Sequence, residues 1–117
     1  MTLLKRTLLA ALVACSALPA AAAPNYPALA AAAIQERLVD PMSIQRAQRT
    51  PPFEHRMWGT HVAICARFYA KNRAGGYGGI TVWTVVFREK RGILVMPDTN
   101  VCGDRYEWKP FPELAAN

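Results

Sequence analysis

Apolar and polar positions alternate with a period of two along two stretches in the middle of the chain. Val62, Ile64, Ala66 and Phe68 interleave with Ala63, Cys65, Arg67 and Tyr69, and Ile80, Val82, Thr84 and Val86 interleave with Thr81, Trp83, Val85 and Phe87. Successive side chains of a strand point to opposite faces, so each stretch reads as a β-strand. Both faces are largely apolar, which predicts a central strand pair covered by a helix on one side and by loops or a partner on the other. Between the two strands lies Asn72-Arg73-Ala74-Gly75-Gly76-Tyr77-Gly78-Gly79. Glycine supplies positive φ without steric cost and asparagine tolerates it, so this segment reads as an elaborate hairpin connection. Arg88 to Gly92 is a charged turn ending in glycine, and Ile93 to Met96 predicts a third antiparallel strand, ended by Pro97.

Upstream, Ala28 to Val39 is alanine-rich and predicts a helix, with Pro27 in its first turn and Asn25 as its cap. Leu29, Ala33 and Leu38, with Ile34 beside them, make one narrow apolar face that must pack on something. The residue before a proline is pushed out of the α region, so the helix stops before Pro41. Asp40 is placed to cap a short turn through Met42 and Ser43. Ile44 to Gln48 predicts a short first strand, with Ile44 and Arg46 on one face and Gln45 and Ala47 on the other. Thr50-Pro51-Pro52 then breaks regular structure and reads as an exposed loop. Asp98 to Asn117 is rich in prolines and turn formers, and reads as an irregular tail whose Cys102, Tyr106, Trp108 and Phe111 lie back over the sheet. The expected fold is α+β: one N-terminal helix packed on a small three- to four-stranded antiparallel meander, with an irregular C-terminal tail.

The first residues change the picture of where this domain works. Lys5 and Arg6 precede an apolar run from Thr7 to Leu18, and the small residues Ala20 to Ala23 follow. Charge, apolar run and small-residue site in that order describe a secretory signal peptide over residues 1–23, leaving 24–117 as a single small exported α+β domain. The apolar run is shorter than the roughly 20 residues that span a bilayer. Leu12-Val13-Ala14-Cys15 also fits a lipobox, in which Cys15 would be lipidated and become the first residue. The two cleavages predict different products: a periplasmic or secreted protein from a cut near Ala23, or a membrane-anchored lipoprotein from a cut before Cys15.

Either cut leaves Cys65 and Cys102 as a pair in an oxidising compartment, where the simplest expectation is a disulfide. No Cys-x-x-Cys spacing suggests a redox enzyme. The chain carries 14 basic and 8 acidic residues. Removing Lys5 and Arg6 leaves 12 against 8, an excess of four, which favours anionic neighbours such as lipid headgroups, cell-wall polymers or acidic proteins. Export takes the domain away from nucleic acid, and membrane contact is expected only if Cys15 is lipidated.

Asp40-Pro41-Met42-Ser43, Ile64-Cys65, Ala70-Lys71-Asn72 and Gly75-Gly76-Tyr77 followed by Gly79 form a spaced set of motifs. On them the chain resembles a group of short, uncharacterised exported proteobacterial proteins over roughly residues 34–87. That group shows an Asp-Pro-x-Ser turn after a helix, a Val-Cys-Gly strand, an Asn-Ala-Lys-Asn run and a Gly-Gly-Tyr-x-Gly loop. The resemblance implies an exported α+β module and no particular activity. Here Ala66 replaces the glycine after the cysteine and Tyr69 replaces the first asparagine.

Candidate chemistry is sparse. The glycine-rich loop is the sharpest candidate, a binding loop of Lys71, Asn72, Arg73, Gly75, Gly76, Tyr77 and Gly79, because backbone amides in such turns can cradle an anion. The same glycines also serve a hairpin, and Tyr77 packed inward would brace it without any ligand. No Gly-Lys-Ser or Gly-Lys-Thr follows, so a nucleotide P-loop is excluded. His55 and His61 lack a zinc-ligand spacing, and no metal or cofactor is expected. No serine sits in a Gly-x-Ser-x-Gly elbow, and Asp98, Asp104 and Glu107 near Cys102 read as a polar turn region. Trp58, Tyr69, Trp83, Phe87 and Trp108 would make a sugar- or peptide-binding platform if they shared a face, though a small domain needs most of its aromatics for burial. Three functions follow. The first is a non-enzymatic periplasmic or envelope interaction module binding a protein or cell-wall component. The second is a small inhibitor of an exported hydrolase that inserts the Arg73 to Gly79 loop. The third is a hydrolase using His61.

Overall fold

The computed structural model describes residues 23–56 and 59–115. Residues 1–22, with Cys15 and nearly all of the expected export signal, lie outside the described residues, as does Trp58.

The described residues form one helix, α1 (Tyr26–Arg37), a single turn of 3-10 helix (Pro41–Ser43), and strands β1 (Gln45–Arg49), β2 (Phe53–Arg56), β3 (Thr60–Tyr69), β4 (Thr81–Arg88), β5 (Gly92–Met96) and β6 (Lys109–Pro110). The expected helix and antiparallel meander are present, and the sheet has six strands rather than three or four. Its order is β5-β4-β3-β1-β6, with β2 also paired to β3, and every pairing is antiparallel. Among the described residues no helix is long and apolar enough to cross a membrane.

Asn25 caps α1 as expected, its Oδ1 accepting from the Ala28 amide at 3.3 Å. The buried face matches the expected one in part: Ala33 and Leu38 pack against the core as expected. Ala30, Ala31 and Ile34 are buried while Leu29 stays exposed. In so alanine-rich a helix several faces are nearly equal in hydropathy, and packing selects the one whose small side chains let the helix lie close to the sheet. Tyr26, on that face, packs against Phe87 with ring centroids 4.8 Å apart. Asp40 does not cap the following turn with its carboxylate. Its carbonyl accepts instead from the Ser43 amide and, at 2.7 Å, from Ser43 Oγ.

The two faces of β3 and β4 have different covers. Ile64, Ala66 and Phe68, with Trp83 and Val85, pack beneath α1 together with Val95. Phe68 and Trp83 meet edge to face at 5.5 Å. On the other side Cys65 and Thr84 are neighbours across the ladder, and the C-terminal tail covers them. Cys65 is disulfide-bonded to Cys102, with Cα atoms 6.5 Å apart and a sequence separation of 37. Thr84 Oγ1 donates to the Thr99 carbonyl at 2.6 Å, a second anchor on the same stretch.

The tail is less irregular than its prolines suggest. After Cys102 it returns along the open side of the sheet, where Tyr106 stacks on Phe53 at 4.5 Å. It then pairs with β1 as β6. Phe111 and Leu114 end in the helix-side core, so the tail wraps the β1 edge and touches both faces. Phe111 therefore does not lie on the face that Cys102 covers.

Thr50-Pro51-Pro52 is the other departure. Prolines have no amide to donate, so the strand paired to β3 is interrupted there and resumes as the unanticipated β2. The segment is not an exposed loop at Thr50, which is fully buried. The Thr50 amide donates to the Cys65 carbonyl at 2.9 Å and its Oγ1 accepts from the Cys65 amide at 3.1 Å. One threonine thus completes the ladder where the prolines cannot. Thr50→Val keeps the shape but strands the Cys65 amide, and is expected to cost about 1–3 kcal/mol in urea unfolding. Thr50→Ser retains the acceptor and is expected to lose clearly less. Equal losses in the two variants would mean that packing, not this bond, fixes the position.

Candidate functional site

A β-bulge builds the site. Between Gln45 and Gln48 the register of β1 against β3 slips, so the regular alternation expected over Ile44 to Gln48 fails. Ile44 and Ala47 both reach the core, and Arg46 takes a left-handed φ of 51°. Bulges re-aim side chains, and a non-glycine residue held at positive φ stores strain that the surrounding packing must support. The consequence is that Arg46 leaves the ladder and lies over the Tyr69 ring, with Cζ 5.8 Å from its centroid.

Arg67 comes to the same place from β3, opposite Gln48. Its Nε donates to Gln48 Oε1 at 2.6 Å, and its Cζ sits 4.3 Å from the centre of the Trp108 ring. A guanidinium stacked on indole and bonded at Nε has lost most of its rotamer freedom before any ligand arrives. Its two Nη groups have no protein partner among the described residues.

These side chains line a groove of about 600 Å3 beside the point where the tail crosses the β1 edge. Arg46, Gln48, Arg67 and Tyr69 supply its polar groups, and Ile80, Pro110 and Pro112 are among the apolar residues of its wall. A second, smaller cleft lined by Gln45, Arg46, Tyr69 and Tyr77 adjoins it through Arg46 and Tyr69. No acidic residue lines either.

The glycine-rich loop stands at the far end of that second cleft. Lys71 bridges to Tyr77 as a short hairpin neck, and Lys71 Nζ lies 5.9 Å from the Tyr77 ring centre. Four of the loop amides, those of Asn72, Ala74, Gly75 and Gly76, already have partners within the loop. Asn72 Oδ1 accepts from Ala74 and Gly76, and the Gly75 amide donates to the Asn72 carbonyl. Gly75 and Gly79 have φ of 84° and 97°, so the turn geometry itself uses them. Tyr77 braces the loop: its hydroxyl donates to the Ser43 carbonyl at 2.9 Å, while Ser43 Oγ accepts from the Lys71 amide at 2.8 Å. The Asp40-Pro41-Met42-Ser43 turn and the Gly75-Gly76-Tyr77 loop, 30 or more positions apart in sequence, form one hydrogen-bonded unit.

The remaining candidates are dispersed. Trp83 and Phe87 belong to the helix side, whereas Tyr69 shares the opposite face of β3 with Arg67 and its partner Trp108, so the aromatics do not form one platform. His61 lies directly opposite His55 in the β2-β3 ladder. That juxtaposition is invisible to a search for ligand spacings within one segment. Among the described residues no three His, Cys, Asp or Glu side chains come together as a metal-binding group. His61 sits six positions from Arg67 along β3, about 20 Å away at the rise of a strand. Asp98 and Asp104 are exposed in turns, and Glu107 is exposed in the irregular segment before β6.

From the sequence, Arg67 reads only as a strand residue, Tyr69 as a strand residue and a member of the aromatic platform, and Arg46 not at all as a functional group. The readable signal was Ile44-Gln45-Arg46-Ala47, whose two core aliphatics three positions apart fit no uninterrupted strand. No family model, curated protein or solved structure matches the chain.

Proposed function

We propose that this protein is a non-enzymatic binding module of the bacterial cell envelope, periplasmic or secreted, or held at the membrane through Cys15, and that its partner docks at the arginine-lined groove. The observation that carries the reading is the pair Arg46 and Arg67, set on aromatic rings in a groove with no acidic lining. Protein guanidiniums that nothing neutralises attract an anionic partner. The Cys65–Cys102 bond is compatible with a compartment outside the reducing cytoplasm. The groove is preferred over the hairpin because the Asn72, Ala74, Gly75 and Gly76 amides are bonded within the loop and Tyr77 is drawn back onto Ser43.

An envelope extract passed over the immobilised full-length protein tests this. The wild type is expected to retain a component that salt releases and that an Arg46→Ala/Arg67→Ala variant fails to retain. Retention unchanged in that variant but lost in Arg73→Ala would overturn the groove and favour insertion of the hairpin into a hydrolase.

A further inference from the structure

We infer that the groove is a carboxylate site, whose occupant is a peptide chain presenting a free carboxylate next to an apolar side chain. The inference rests on the groove being the binding surface. It follows from how the groove's donors are arranged and from what surrounds them.

The Arg67 guanidinium is already committed along its Nε side, to Gln48 Oε1, and on one face, to Trp108. What remains is the pair of Nη groups. Two parallel N–H donors in one plane match the two oxygens of a carboxylate, and such a fork is both strong and selective for orientation. Pre-fixing matters because ordering an arginine on binding costs rotamer entropy, and here Gln48 and Trp108 have ordered it in the free protein. Arg46, carried out of the ladder by the bulge, adds a second positive charge from the β1 side.

The rest of the lining selects against a bare phosphate. Phosphate sites use many donors, commonly a nest of backbone amides, and in the chain's glycine-rich loop the Ala74 and Gly76 amides are taken by its own Asn72. Six of the ten lining residues are apolar: Ala47, Ile80, Pro110, Phe111, Pro112 and Ala115. A volume of about 600 Å3 holds a few residues of chain or a comparable small molecule. A ligand that satisfies both halves has one charged end and an apolar body. The adjoining cleft at Gln45, Tyr69 and Tyr77 gives the chain a direction in which to continue.

The test uses the 15N-labelled full chain and three probes: N-acetyl-leucyl-alanine with a free carboxylate, its carboxamide, and inorganic phosphate. The acid is expected to shift the Arg67 Nε–Hε and Trp108 indole N–H resonances and to bind at least about tenfold more tightly than the amide, the loss expected when a charge-assisted fork has no anion to hold. Arg67→Lys keeps the charge but not the fork, and is expected to weaken the acid by about tenfold. Gln48→Ala, which frees the guanidinium without removing it, is expected to weaken it by a smaller factor. Should Arg67→Lys fail to fold, the acid-to-amide ratio on the wild type decides alone. Equal binding of acid and amide overturns the inference, and so does phosphate binding as tightly as the acid. If no probe binds while the wild type still retains an envelope component that the double arginine variant loses, the carboxylate assignment fails and the groove stands. If the double variant retains that component, the groove itself is wrong.

Discussion

Reduction of the Cys65–Cys102 bond is expected to lower the free energy of unfolding by about 3–4 kcal/mol, the chain-entropy value for a closed loop of this length. Domains of this size have about 5–15 kcal/mol in total, so the loss removes a large share of the margin. The bond closes 37 positions of chain, and the closed loop contains the whole of β4 and β5 with both hairpin turns. In the reduced protein the tail's attachment to its own side of the sheet falls to the Thr84 bond to Thr99, the Tyr106 stack on Phe53 and the Trp108 stack on Arg67. Functional damage is therefore expected to accompany the loss of stability, because Trp108 is what orders Arg67. Urea unfolding with and without reductant, and of a Cys65→Ala/Cys102→Ala variant, measures the first effect. The Trp108 indole resonance reports the second. An unchanged midpoint, or alkylation of both cysteines in unreduced protein, would remove the crosslink from the account of this fold.

How much of this was legible in the sequence depends on whether a position obeys local rules or tertiary ones. The strands Val62 to Tyr69 and Ile80 to Phe87 follow period two without interruption, and β3 and β4 match them to within two residues at each end. The pairing of the cysteines followed from parity and compartment. β2 escaped because four residues behind two prolines look like a loop, and what makes them a strand is a tertiary pairing, with Thr60 to Ala63 of β3, that the local sequence does not announce. The helix face was legible in part: Ile34, Ala33 and Leu38 pack on the core, but Leu29 gives way to Ala30 and Ala31 because alanine leaves the choice to whatever the helix packs on. The site was hidden by a bulge: the sequence of β1 carries Arg46, but only the slip of register against Tyr69 and Arg67 brings it to the groove. The glycine-rich loop drew attention for the same reason in reverse. Its composition is local and conspicuous, while the Asn72 and Ser43 bonds that occupy it are set by the fold.

Phe111→Ala is expected to be as damaging as any single core truncation here, about 3–5 kcal/mol for an aromatic removed from a closed site. Phe111 is fully buried, its amide donates to the Ala47 carbonyl at 2.9 Å, and its carbonyl accepts from both Leu114 and Ala115. It fixes the far end of the tail as Cys102 fixes the near end. Phe68→Ala is the control that separates packing from site: Phe68 is equally buried in the same core but does not line the groove. Both variants are expected to show similar drops in denaturant midpoint. Under conditions where both remain folded, only Phe111→Ala is expected to lose groove binding beyond what its stability predicts, since Pro110, Pro112 and Ala115 hold their places through it. Combined with reduction of the disulfide, its cost is expected to fall short of the sum of the two. A tail already released at one end has less packing left to lose at the other, and residues that act on one element do not add independently. A Phe111→Ala loss under about 1 kcal/mol, or simple additivity with reduction, would mean that the two ends of the tail are held separately and that the groove does not depend on its wrap around β1.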